Sequence, residues 1–373
     1  MTHIALFLPD LKGGGAERVM LTLAKYFVGQ GHRVDLVLAR AEGALLPLVA
    51  DGVRVVDLRA GLRKWGLMGL AFSATARLAR YLRREKPDVL LSTLTGANLA
   101  AILARMLLTG HGPKLVLREA VTLRNLRGSH RLYLMRWFYP KANAVVALTE
   151  VMREELIKNI GLTPNKVFCI PNPVDRDLVS NRAAEHLEHP WFESESQPLL
   201  LGIGRLSAQK DFSTLIHAFS QVRFQQKARL MILGEGELRQ SLETLVKRLD
   251  LQDDVLLPGF VVNPYSWLRR ASILILSSLW EGYPNVVLEA LALGKPVVIT
   301  EYDASVRELA SESEFIHVVP VADPARMATA IVNILNFPTE DRGSVLPAGV
   351  EAAPQRYLDL LVGADRFDSQ GSV

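Results

Sequence analysis

Short apolar runs rich in β-branched residues alternate with amphipathic stretches along most of the chain, and the alternation occurs twice. A strand buried on both faces of a parallel sheet reads as an unbroken apolar run, and a covering helix shows one apolar stripe. The pattern therefore predicts βαβ units around parallel sheets. In the first half the strands fall at IALFL, RVDLVLA, RVVDL, DVLLST, KLVLRE, AVVALT and VFCI, with helices at Ala16 to Val28 and Phe72 to Arg84 among them. In the second half they fall at LLLGIG, ARLMILG, VLLPG, SILILSS and PVVIT. At 373 residues the chain exceeds the roughly 250–300 at which one hydrophobic core stops growing. The expected fold class is α/β, with two Rossmann-like doubly wound domains facing a central cleft in which the strands' C-terminal ends hold a ligand.

The acidic, helix-poor stretch EHLEHPWFESESQP reads as the interdomain connection, which sets a first domain over 1–180 and a second over 195–349. Ile170 to Asp177, IPNPVDRD, suits a rigid turn at the hinge. A single cysteine, Cys169, excludes an internal disulfide framework and a cysteine-based zinc site, and points to a reducing compartment. No uncharged apolar run approaches the roughly 18 residues needed to span a bilayer, and the N-terminal segment lacks the flank and cleavage site of a secretory signal. Cytoplasmic placement is the expectation.

The segment SSLWEGYPNVVLEALALGKPVVIT sets Glu281 in a loop and Glu289 inside a helix, with Pro284 at an early helical position. Amides of Asn285, Val286 and Val287 at such a helix start suit a phosphate, and Glu289 suits a ribose diol. Either glutamate alone is more often a solvated or capping residue. In GIGRLSAQKD, a strand ends in a glycine turn that delivers Arg205 and Lys210. Two cations there suit a diphosphate leaving group in place of a divalent metal, although each alone reads as an ordinary surface cation.

Gly13 to Gly15 separate the first strand from a helix and permit close approach of backbone to a ligand, or simply a tight turn. As a dinucleotide fingerprint the loop is weak: the spacing is G-x-G-x-x-R, with Arg18 where a third glycine belongs. Asp175 and Asp177 form a D-x-D, but within a proline-fixed turn and without a suitable strand before it. The histidines show no H-x-x-x-H or H-E-x-x-H spacing, so no metal and no cofactor is expected.

Taken together, GGGAERVM, IPNPVD, GRLSAQKD, LGEGELR, GF at Phe260 and EGYPNVVLEALALGKPVV resemble, in order and spacing, the retaining glycosyltransferases of family 4, whose fold is GT-B. The resemblance implies a UDP-sugar donor bound mainly by the C-terminal domain and acceptor recognition by the N-terminal one. By position it makes Arg205 and Lys210 the diphosphate ligands, Glu289 the ribose ligand, Glu281 the acid near the donor sugar, and Gly14 and Gly15 the loop facing that sugar. It also implies that AGVEAAPQRYLDLL forms a return helix over 350–366 that completes the first domain. Two departures stand out. Where family members often carry a histidine after the fifth strand, this chain has Arg118 and Glu119, the acceptor-side candidates, with His111 and His130 displaced from that position. Where they carry a proline- and glycine-rich loop, it has TEYDASVRELA, whose Arg307 and Glu308 match the family's Arg-Glu pair as structural residues.

The function expected is transfer of a hexose or N-acetylhexosamine, with retention, from a UDP-sugar to a lipid-linked or polysaccharide acceptor of the cell envelope. A GT-B sugar-nucleotide epimerase and a non-catalytic, membrane-associated sugar-nucleotide-binding protein are the alternatives; nucleic acid is not an expected partner. Charge adds a membrane expectation. Residues 1–141 carry 22 Lys or Arg against 9 Asp or Glu, while the remainder carries 21 against 30. Within residues 60–141, Arg63, Lys64, Arg131 and Arg136 interleave with Trp65, Leu67, Met68, Tyr133, Trp137 and Phe138. Such a surface suits an anionic membrane, peripherally on the inner face of the cytoplasmic membrane; packing of these aromatics inside the first domain is the alternative.

Overall fold

The computed structural model describes residues 1–61, 66–110, 112–120, 130–193, 197–337 and 343–363. Contacts divide the chain into two units, one of Met1–Pro173 with the chain from Gly349 onward, the other of Val174–Ala348.

In the first unit the elements run β1 (His3–Leu8), α1 (Gly15–Gly29), β2 (Arg33–Leu38), β3 (Val53–Asp57), α2 (Gly66–Glu85), β4 (Val89–Thr93), α3 (Thr95–Met106), β5 (Lys114–Arg118), α4 (His130–Phe138), β6 (Ala144–Ala147), α5 (Glu150–Glu155) and β7 (Val167–Cys169). The strands form one parallel sheet in the order β3-β2-β1-β4-β5-β6-β7. The register pairs Ile4 with Val34 on one side and Val89 on the other. The order reverses direction between β1 and β4, the switch point at which doubly wound sheets bind ligands.

The second unit opens with α6 (Arg176–Ala183) and α7 (Pro190–Glu193), followed by β8 (Leu199–Ile203), α8 (Phe212–Gln225), β9 (Arg229–Leu233), α9 (Arg239–Arg248), β10 (Val255–Gly259), α10 (Tyr265–Arg270), β11 (Ile273–Leu276), α11 (Asn285–Ala292), β12 (Val297–Thr300), α12 (Ala304–Ser311), β13 (Ile316–Val319) and α13 (Pro324–Asn336). Its parallel sheet has the order β10-β9-β8-β11-β12-β13, so β8 and β11 are neighbours across the second switch point, Ile275 pairing with Gly202. Every strand expected in this half is present, and β13 is additional. Its run IHVV is four residues long at the sheet's edge, with His317 interrupting the apolar pattern.

The chain then returns through α14 (Ala348–Glu351) and α15 (Ala353–Val362). In α15, Ala353, Tyr357, Leu358, Leu360 and Leu361 join the first unit's core. Lys114 Nζ donates to the Leu360 and Gly363 carbonyls at the end of that helix, where a cation complements the helix dipole.

The boundary lies earlier than the sequence suggests. The unit changes at Pro173/Val174 rather than after 180, because Val179 and Ala183 of α6 are buried with Tyr265 of α10. The stretch read as a connection likewise belongs to the second unit, where the His189 and Phe192 rings pack on Trp267 at 5.3 and 5.7 Å. Its acidity hid an aromatic anchor. Asp175 is the N-cap of α6, accepting from the Leu178 amide at 3.0 Å, which is a structural use for half of the D-x-D.

Candidate active site

Because β8 and β11 are adjacent, the loops that leave their C-terminal ends meet. The loop after β8 turns back on glycines. Gly234, at φ +149°, follows β9 and lies against Gly204, where a Cβ would collide with the Gly204 carbonyl oxygen. A Cβ on Gly204 would in turn stand 2.8 Å from Cε of Lys210, so the lysine stem crosses the glycine directly. Lys210 ends a short 3-10 turn, and Asp211, left-handed at φ 43°, caps α8 through the Thr214 amide and hydroxyl. The LGEGELR glycines therefore act through packing: they let the Arg205–Lys210 loop sit close on β9.

The loop after β11 supplies Glu281, only 8% exposed. Its Oε1 accepts from Lys210 Nζ and from Ser278 Oγ, both at 2.5 Å, and its Oε2 accepts from Gln209 Nε2 at 3.2 Å. Gln209 Nε2 also donates to the Trp280 carbonyl and the Gln209 carbonyl accepts from the Leu279 amide, so side chain and backbone both join the loops. Ser277 Oγ donates to the Lys210 carbonyl, and Thr300 Oγ1 fixes the Ser278 carbonyl from the end of β12. Arg205 is exposed beside this network, with no ion pair among the described residues. Burial, then the charge of Glu281 and its neighbours, pushes the Tyr302 hydroxyl well above its ordinary value. It therefore remains a neutral hydroxyl.

Glu289 lies in α11, half-buried, and accepts from the Tyr265 hydroxyl at 3.0 Å. Pro284 occupies the N-cap rather than a position inside the helix. Of the three amides expected to be open, that of Asn285 donates to the Tyr283 carbonyl and that of Val287 to the Pro284 carbonyl, because the chain tightens at the cap. Val286 is the residue of the three whose amide is not taken up in this turn. Arg307 pairs with Glu301 at 2.5 Å on the surface, as suits a structural role.

In the first unit, Gly14 is the N-cap of α1 and Gly15 its first residue, and both are exposed. The sequence reading missed Glu17, three residues after the cap, whose carboxylate accepts from the Gly14 amide and lies where a Gly14 Cβ would be. The glycine-to-glutamate spacing of a capping box was its signal. Loss of water raises the Glu17 carboxyl above the usual carboxylate range.

The acceptor-side candidates stand at the end of β5, where the sequence sets them, and both are buried. Arg118 is 1% exposed and donates to Thr93 Oγ1 at 2.7 Å and to Asn172 Oδ1. Glu119 is fully buried, accepting from Thr95 Oγ1 at 3.1 Å, the Tyr139 hydroxyl at 2.6 Å and the Ala120 amide at 3.1 Å. A carboxylate enclosed this way must have donors, and these come from α3, the turn after α4 and the Ala120 backbone, while Arg118 ties β5 to β4. His111 lies outside the described residues and His130 is exposed at the start of α4.

Comparison with known proteins matches residues 13–178 to the model described as Glycosyltransferase Family 4, and residues 197–336 to Glycosyl transferases group 1. The chain belongs to the group 1, family 4 glycosyltransferases. It is 28% identical over 342 residues, 90% of each chain, to the Campylobacter jejuni N-acetylgalactosamine-N,N'-diacetylbacillosaminyl-diphospho-undecaprenol 4-alpha-N-acetylgalactosaminyltransferase. To that organism's GalNAc-alpha-(1->4)-GalNAc-alpha-(1->3)-diNAcBac-PP-undecaprenol alpha-1,4-N-acetyl-D-galactosaminyltransferase it is 27% identical, over 90% of this chain and 89% of the relative. Among solved structures, Anabaena HepE, crystallised in complex with UDP and glucose, superposes with a TM-score of 0.72 at 19% identity, covering 96% and 95% of the two chains. Sucrose-phosphate synthase from Thermosynechococcus elongatus gives 0.75 at 18%, covering 95% and 94%. These likenesses place both sheets of this glycosyltransferase in the GT-B fold class.

Proposed function

We propose that this glycosyltransferase moves a hexose or N-acetylhexosamine, with retention, from a UDP-sugar to a lipid-linked or polysaccharide acceptor of the cell envelope, without a metal. The observation that carries the reading is the Lys210–Glu281 pair beside exposed Arg205 at the second sheet's switch point. Two cations on this one loop suit a leaving diphosphate, and Glu281 and Glu289 suit sugar hydroxyls and the ribose diol. The named activities of the Campylobacter relatives support the acceptor class and favour an N-acetylhexosamine; the UDP complex of HepE supports the nucleotide.

In the step itself the bond between the sugar C1 and the departing phosphate oxygen breaks, and a bond from C1 to the acceptor oxygen forms on the same face. The acceptor hydroxyl's proton passes to the departing phosphate oxygen. Arg205 and Lys210 stabilise charge developing on the diphosphate, and no protein nucleophile is required.

The membrane belongs to the same proposal. On α4, Tyr133 and Trp137 are 61% and 76% exposed, beside exposed Arg131 and Arg136, while Phe138 is half-buried. Leu103, Met106 and Leu107 are exposed at the end of α3, which packs on α4. Arg63, Lys64 and Trp65 lie outside the described residues, and Leu67 and Met68 fall in the first turn of α2. No helix among the described residues is long and apolar enough to cross a membrane. Binding here would combine apolar burial with about 1 kcal/mol per cation near anionic lipid.

The test incubates UDP-GalNAc, UDP-GlcNAc, UDP-Gal and UDP-Glc separately with short lipid-diphosphate-linked saccharides. Products are weighed by mass spectrometry and their anomeric configuration is read by NMR. An α-linked product from an α-linked donor is expected; an inverted product removes retention, and a free epimerised sugar nucleotide or UDP-sugar binding without turnover removes transfer.

A further inference from the structure

The Lys210–Glu281 pair presents a problem that its surroundings solve. An ammonium 2.5 Å from a carboxylate offers little net field to a phosphate, so Lys210 must loosen its hold on Glu281 to serve a donor diphosphate. Yet the side chains of the pair are only 17% and 9% exposed, and a buried carboxylate stripped of its cation resists the separation. Here the carboxylate has two neutral donors of its own. Ser278 Oγ, on a residue with no exposed surface, shares Oε1 with the lysine, and Gln209 Nε2 holds Oε2. Both are fixed from behind: the Ser278 carbonyl by Thr300, and the Gln209 backbone carbonyl by the Leu279 amide.

We propose that Ser278 and Gln209 are positioning residues that keep Glu281 satisfied while Lys210 leaves it for the donor diphosphate. The lysine exchanges one anion for another, and Glu281 reclaims it when UDP departs. Glu281 thus competes with the nucleotide for Lys210, lowering its affinity and favouring product release. The inference rests on the UDP-sugar reading of the same site.

Calorimetric titration of UDP into the full-length protein tests it, using wild type, Glu281→Gln, Ser278→Ala, Gln209→Leu and each of the latter two combined with Glu281→Gln. Glu281→Gln is expected to bind UDP about 5- to 20-fold more tightly even as transfer falls. Ser278→Ala and Gln209→Leu are expected to bind it about 3- to 10-fold more weakly, because Glu281 then holds the lysine harder. Both losses should disappear in the Glu281→Gln background, which a purely structural disturbance would not produce. Gln209 lies at the loop surface, so its variant retains the test if Ser278→Ala folds poorly. Unchanged or weaker binding by Glu281→Gln, or losses that persist in the double variants, overturns the proposal while the donor reading stands. Absence of UDP binding by the wild type overturns both.

Discussion

The two sheets carry equivalent switch points, β1/β4 in the first and β8/β11 in the second, and they treat charge in opposite ways. At the first, Arg118 and Glu119 are enclosed by Thr93, Thr95, Asn172 and Tyr139, and Glu17 covers the start of α1. At the second, an ion pair remains partly open beside an exposed arginine. Shared topology brings loops to one place in both units. Arg118 Nε keeps no partner yet is sealed from solvent, so what separates a scaffold from a site is whether the charged atoms remain open to a ligand.

The sharpest way to break that contrast is at the second switch point. Lys210→Ala and Glu289→Ala are each expected to slow transfer about 30- to 1,000-fold, the effect of losing roughly 2–4 kcal/mol of transition-state stabilisation. Steady-state turnover measures it, with circular dichroism to confirm an intact fold. Near-normal rates in either variant would show that the second switch point is scaffold as well.

The matching change at the first switch point should act on stability. Glu119→Ala leaves the Tyr139 and Thr95 hydroxyls without their acceptor, and burial with the Glu119 charge already pushes the Tyr139 hydroxyl well above its ordinary value. Unsatisfied buried groups cost about 1–3 kcal/mol each, so for these two hydroxyls urea unfolding should shift by roughly 2–6 kcal/mol. A variant as stable as wild type but defective in acceptor KM would return Glu119 to the substrate and dissolve the contrast.

This difference also marks what the sequence made legible. Periodicity located seven strands of the first sheet and five of the six in the second, because most of them are buried and largely apolar, although β3 at the sheet's edge is mostly exposed. Glycine spacing and the paired glutamates located the loops after β8 and β11. Burial of Arg118 and Glu119 was invisible, since the polar partners that make it tolerable come from β4, α3 and the turn just after α4, far apart in sequence. Ser278 and Gln209 were equally silent, being ordinary loop residues until β8 and β11 pair. The early unit boundary escaped for a related reason: α6 is short and polar, and only Val179 and Ala183 anchor it.

A smaller effect separates metal chemistry from capping. Exhaustive chelation is expected to leave transfer unchanged, since Arg205 and Lys210 supply the positive potential. Asp175→Ala should cost about 1 kcal/mol of stability through the lost cap of α6, with no new dependence on manganese. Activity that returns only on adding manganese or magnesium would assign the diphosphate's charge to a metal, and the lysine–glutamate pair would lose its place in the comparison.

The smallest expected effect concerns Glu17, where the first switch point comes nearest to resembling the second. Its carboxyl is raised above the ordinary value chiefly by loss of water, with the Gly14 and Glu17 amides offsetting part of the cost. A carboxyl raised in the folded state binds its proton more readily there than in the unfolded chain. Stability therefore falls as pH rises from the ordinary carboxylate value through the raised one, and the penalty is complete above it. Glu17→Gln removes the charge and should stabilise the protein at pH 7 by less than about 1 kcal/mol, with the gain shrinking toward pH 4. Urea unfolding of both proteins at the two pH values reads this directly. If the glutamine variant is instead less stable at pH 7 than at pH 4 relative to wild type, the carboxylate is a favourable cap on α1, and the start of that helix is closed by design rather than held at a cost that a ligand can relieve.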